Sequence, residues 1–169
     1  DSIDPKIKLY CVPFPYTDRD TIGVKQDHGL TLTPCIMNPK SRGDVTIESD
    51  NPKDRPLVNP NFLSNDEDLN LILDAVKLAR KVLETKPLSD IVIEESLPGE
   101  LVKNDEELKN YCKKMIKTNW HPVGTCKMGA DDDEMSVLNT KLQVKGIEKL
   151  RVFDVSMMPS IVAANTNAP

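Results

Sequence analysis

The chain has 169 residues, 38% hydrophobic and 29% charged, which is one domain's worth of material and enough to bury a core. Its 27 acidic residues outnumber 22 basic ones for a net charge of −5, so composition offers no electrostatic footing for nucleic acid or an anionic membrane. No run approaches the roughly 20 apolar residues that a membrane-spanning helix needs.

In chain order, residues 6–16 mix apolar side chains with Pro13 and Pro15 and predict a short strand or an extended crossing piece. Leu30-Thr31-Leu32-Thr33 gives a period-two strand signal within residues 29–37. Residues 38–44 (Asn-Pro-Lys-Ser-Arg-Gly-Asp) form a turn cluster, and residues 44–49 alternate again through Val45 and Ile47. The two strands flanking that turn suggest an antiparallel pair. Residues 50–62 carry Pro52, Pro56 and Pro60, which remove ladder donors and predict an irregular stretch.

A helix is then predicted from a capping box of Ser64 and Glu67, with Asp66, Glu67 and Asp68 in the positive first turn. Leu69, Ile72, Leu73, Val76, Ala79 and Leu83 recur at helical spacing until Pro87 stops the run. A second helix is predicted over about residues 105–117, capped by Asn104, with Leu108, Tyr111, Cys112 and Met115 as its apolar stripe. Residues 142–144 and 150–154 read as strands separated by a turn at Lys145-Gly146.

Chemistry concentrates in two stretches. The first runs from Trp120 to Gly129 (W-H-P-V-G-T-C-K-M-G) and holds His121, one of only two histidines. Pro122 forces His121 out of helical geometry, so a helix should stop and hand over the imidazole on a stiff connection. Gly124 and Gly129 permit close backbone approach, as a bound planar ligand would require. An imidazole held this way can serve as a general base, or can simply cap or pack. The second stretch runs from Val152 to Pro169 and contains the end of a strand at Asp154, followed by Asn165-Thr166-Asn167. Those amides offer donors and acceptors to a polar ligand edge, or form a polar turn before a helix.

Taken together, the first stretch and the ordered run L-R-V-x-D-x-S-x-M-P-x-x-V-x-x-N-T-N-A-P about 20 residues later resemble the glucose–methanol–choline oxidoreductases. Ser41-Arg42-Gly43-Asp44-Val45, Pro56-Leu57-Val58-Asn59-Pro60-Asn61 and the helix over residues 66–83 are similar to that family's substrate-domain segments. The closing motifs are nearest in character to the glucose-dehydrogenase-like members of insects. The resemblance implies FAD as cofactor and a small-molecule alcohol or sugar as substrate. His121 would take the hydroxyl proton, and Asn165 would orient the substrate oxygen. Trp120, Asp154, Asn167, Ala168 and Pro169 would lie beside the flavin. It further implies an α+β piece: residues 1–118 as part of a substrate-binding domain with an antiparallel sheet, and residues 119–169 as the catalytic histidine loop with segments returning to the flavin domain. Secretion is the location it suggests.

The seven glycines form no G-x-G-x-x-G turn, so the fingerprint that cradles a dinucleotide pyrophosphate is missing from this sequence. With Asp1 in place of a methionine and nothing capping Asn167-Ala168-Pro169, both ends read as cut edges, the FAD-binding part lying earlier in a longer protein. A non-catalytic remnant or binding module that kept the motifs is the alternative. A cysteine hydrolase built on Cys126 and His121 lacks any oxyanion or orienting motif. Residues 131–134 (Asp-Asp-Asp-Glu) lack the spacing of a calcium loop and read as a solvated acidic loop, so no metal is expected. His28 reads as a surface turn residue. The four cysteines form no C-x-x-C pair and leave free thiols and one or two bridges both open.

Overall fold

A computed structural model describes residues 4–16 and 28–168. They contain two α-helices and two separate two-stranded antiparallel sheets, and the chain divides into two compact units. One comprises Asp1–Ser41 with Phe62–Lys117, the other Arg42–Asn61 with Thr118–Pro169.

In the first unit, β1 (Ile7–Val12) pairs with β2 (Thr31–Ile36), from Ile7 opposite Ile36 to Val12 opposite Thr31. Pro34 is tolerated because, in a two-stranded antiparallel ribbon, every second residue points its backbone groups away from the partner strand, and Pro34 opposite Leu9 falls at such a position. α1 (Asp66–Leu83) follows, and its cap is Asn65 rather than the expected Ser64: the Asn65 side chain accepts the Glu67 N–H at 2.9 Å. Acidic residues in the first turn and Arg80 and Lys81 in the last complement the helix dipole. Leu69, Ile72, Leu73, Val76 and Ala79 are buried as their spacing predicts, joined by Ala75.

α2 (Asp105–Met115) is capped as expected by Asn104, which accepts from the Glu107 N–H, and it buries Leu108 and Cys112 against α1. Ile7, Ile36, Leu63, Val102, Tyr111 and Ile116 close the edges of this core. The loop between the helices is tied down by Arg80. Its guanidinium forms a fork on the Glu95 carboxylate at 2.9 and 2.8 Å and donates to the Val102 carbonyl at 2.9 Å.

In the second unit, β3 (Asp44–Thr46) pairs with β4 (Leu57–Asn59). This corrects two expectations. The strand after the 38–44 turn does not pair with the one before it, because β2 pairs back with β1 and β3 pairs forward with β4. The proline-rich stretch is also not wholly irregular: Leu57, Val58 and Asn59 are free of proline and fit a short ladder between Pro56 and Pro60.

Gly43 opens this hairpin. A Cβ there would lie 2.1 Å from the Asn59 carbonyl oxygen and 2.7 Å from the Pro60 carbonyl carbon and oxygen, all of them backbone atoms. Gly43→Ala should therefore part the strands, at the roughly 1–3 kcal/mol typical of overpacking. Amide exchange should quicken at Val45 and Val58, and an unchanged exchange rate would refute the close approach.

The expected strands over 142–144 and 150–154 reduce to isolated antiparallel bridges, Gln143 with Arg151 and Val144 with Leu138. Leu142 and Lys149 both have left-handed backbones (φ 61°), which interrupts an extended run. The predicted turn is present, with Gly146 at φ 79°.

Candidate active site

α2 ends at Met115, short of the expected Lys117, because Ile116 is already extended (φ −60°, ψ 134°). The imidazole is thus not delivered directly by a helix end. Its neighbour Trp120 takes a left-handed backbone (φ 58°), an uncommon conformation for a large side chain, and its N–H donates to the Thr118 hydroxyl at 3.0 Å. The indole is 72% exposed.

The two motif stretches meet within the second unit. The Cys126 N–H donates to the Ser156 carbonyl at 3.0 Å, and the Met128 N–H to the Met157 carbonyl at 2.9 Å. At the far end of this seam the His121 Nδ1 lies 3.0 Å from the Thr166 Oγ1, a contact spanning 45 residues of sequence. His121 is half-buried and Thr166 is buried, whereas Asn165 and Asn167 on either side of it are exposed. The Ala168 N–H donates to the Asn165 carbonyl at 3.2 Å, closing a turn around Thr166.

Sequence reasoning passed over Thr166 for its amide neighbours. Its position in a tight polar run was the available signal, but a hydroxyl's partner 45 residues away has no local signature.

Asp154 does not end a regular strand. It caps a 3₁₀ turn (Val155–Met157), its side chain accepting the Ser156 N–H at 2.8 Å. Hydrogen bonds from the Ser156 side chain and N–H hold its carboxyl below the usual carboxylate range. Ala168 is exposed, and Pro169 lies outside the described residues.

The partner of the His121 Nδ1 is the Thr166 hydroxyl, not the Cys126 thiol, so the geometry gives the hydrolase pairing no support. All four cysteines are free.

The acidic loop is closed by lysines. Lys145 Nζ donates to the backbone carbonyls of Ala130, Asp131 and Asp133 at 2.7, 3.3 and 3.0 Å, and Lys127 Nζ pairs with the Asp133 carboxylate at 2.9 Å. That pairing leads the interactions holding the Asp133 carboxyl below its ordinary value. A Cβ on Gly129 would meet the Ser136 Cβ at 2.7 Å, so the close approach at Gly129 is to the protein's own loop rather than to a ligand. Among the described residues no group of three or more His, Cys, Asp or Glu is placed to hold a metal ion. No helix among them is long and apolar enough to cross a membrane.

A half-buried imidazole 3.0 Å from a buried hydroxyl that lies between two exposed asparagines is an arrangement that can accept a proton. The family model for GMC oxidoreductases matches residues 39–169, which include both halves of that site. The chain belongs to this family.

It is 41% identical to an alcohol dehydrogenase (acceptor) of Pseudomonas putida over 98% of its own length and 29% of that protein. It is 38% identical to an oxygen-dependent choline dehydrogenase of Brucella anthropi, covering 98% of the chain and 30% of that enzyme. The crystal structure of pyridoxine 4-oxidase from Mesorbium loti superposes with a TM-score of 0.86 at 28% identity, over 95% of the chain and 31% of that protein. The chain thus spans less than a third of the length of each of these relatives.

Proposed function

We propose that this chain supplies the proton-accepting wall of the active site in an FAD-dependent oxidoreductase acting on CH–OH groups of small alcohols or sugars. The observation that carries the reading is the His121–Thr166 contact, which unites the two motif stretches in a region matched by the family model. The relatives' names point to alcohols such as choline. Sugars rest on the character of the closing motif alone.

When bound, FAD supplies the acceptor for the hydride that leaves the carbinol carbon. His121 takes the hydroxyl proton at Nε2, the nitrogen not engaged by Thr166. The exposed Asn165 amide donates to the substrate oxygen and orients it. The residues that would hold the isoalloxazine side are Trp120, Asp154, Asn167, Ala168 and Pro169. The first four have exposed side chains, as a surface meant to receive a further group requires. The α+β character fits this role, with segments 119–169 turned toward a flavin domain. With no G-x-G-x-x-G turn in the sequence, most contacts to the dinucleotide in such a protein come from other residues.

Mixing the flavin-loaded protein with a primary alcohol in the absence of oxygen should bleach the flavin, and deuterium on the carbinol carbon should slow the bleaching. A flavin that stays oxidised toward every alcohol and sugar tried would favour a non-catalytic remnant.

A further inference from the structure

Resting on the reading of His121 as the base, we infer that Thr166 is its positioning residue: the Thr166 hydroxyl oxygen accepts the Nδ1 proton, leaving Nε2 with the free lone pair. A neutral imidazole carries one N–H and one lone pair, and the partner of one nitrogen decides the state of the other. Only the tautomer protonated at Nδ1 presents Nε2 as a base, and the Oγ1 at 3.0 Å is an acceptor for that proton.

Three features hold the acceptor in place. Thr166 is 9% exposed, so water competes poorly for its hydroxyl. The turn closed by the Ala168 N–H on the Asn165 carbonyl fixes its backbone. Branching at Cβ restricts its χ1, which confines the oxygen to few directions. Thr166 is thus the buried residue between two exposed asparagines, and the one of the three that reaches the histidine ring.

The test uses the intact flavin-loaded protein with ¹⁵N-labelled histidine side chains. In the unmodified protein the nitrogen shifts of His121 should report a proton on Nδ1. A proton on Nε2 would overturn the inference without any variant being made. Thr166→Val, which keeps the shape and removes the hydroxyl, should lower kcat by about 10- to 100-fold, as orienting contacts do, with KM little changed.

Thr166→Ser should restore most of the loss. In a His121→Ala background, Thr166→Val should cost nothing further, because the hydroxyl acts only through the ring. An equal loss in both backgrounds would mark Thr166 as merely structural and sink the proposal. Full turnover by His121→Ala alone would instead remove the functional reading, and the Nδ1 proton would still be decided by the nitrogen shifts.

Discussion

His121→Ala should lower the rate of flavin reduction by alcohol by about 10²–10⁴-fold, the usual span for losing a general base. On the proposed reading the effect should fall on kcat, since a general base acts on the transition state rather than on substrate binding. The variant should still fold: His121 is only half-buried, and the seam beside it is made by backbone bonds of Cys126 and Met128 that do not involve the ring. Stopped-flow flavin absorbance would read the rate, and thermal unfolding would check the fold. Retention of flavin with near-normal reduction would remove His121 from the chemistry. A collapse of stability would instead mean that the ring mainly braces the Thr166 turn.

What the sequence made legible follows the range of the physics involved. Both helices were readable because their signals are local: Asn104 three residues before Glu107, and Leu69, Ile72, Leu73, Val76 and Ala79 on one stripe. The cap of α1 shifted by one residue because Ser64 and Asn65 are both good caps, and the Ser41 hydroxyl, far away in sequence, accepts the Asn65 N–H.

Strand pairing failed for a different reason. Every strand here has three to six residues, and nothing in residues 31–46 tells a hairpin from two strands with distant partners. At the candidate site, the two motif stretches were visible as composition. Their union was not, since it depends on the seam from Cys126 to Ser156 and on one hydroxyl. The acidic loop likewise read as solvated charge. Its folding around Lys145 involves three carbonyl oxygens, which no side-chain pattern announces.

Asp68 is the residue whose role changed most, and its removal should be the most costly for stability. By sequence it is one of three acids in the first turn of α1, helpful to the dipole by a few tenths of a kcal/mol to about 1. In the structure it is 3% exposed, and its carboxylate accepts the Lys40 N–H at 2.9 Å, the Ser41 N–H at 2.6 Å and the Ser41 hydroxyl at 2.6 Å. It therefore clamps the segment that leads into Gly43.

Asp68→Ala would strip three donors of their acceptor in a partly buried place. At about 1–3 kcal/mol for each unsatisfied group, with some relief from entering water, the loss should be about 3–5 kcal/mol. Asp68→Asn should cost less, since one oxygen still accepts while its NH₂ faces a donor. Two neighbours supply the contrast. Glu67 pairs with Lys40 at 2.5 Å, but the side chains are 69% and 58% exposed, so Glu67→Ala should cost no more than about 1 kcal/mol. Asp74 is exposed on the same helix, and Asp74→Ala should stay within about 0.5 kcal/mol.

Urea unfolding of the four variants, with slopes unchanged, would rank them. If Asp68→Ala fell among the surface controls, the carboxylate would be a solvated cap and not a clamp. A large loss confined to Asp68 would place the decisive charge at the one acid of the three that water does not reach.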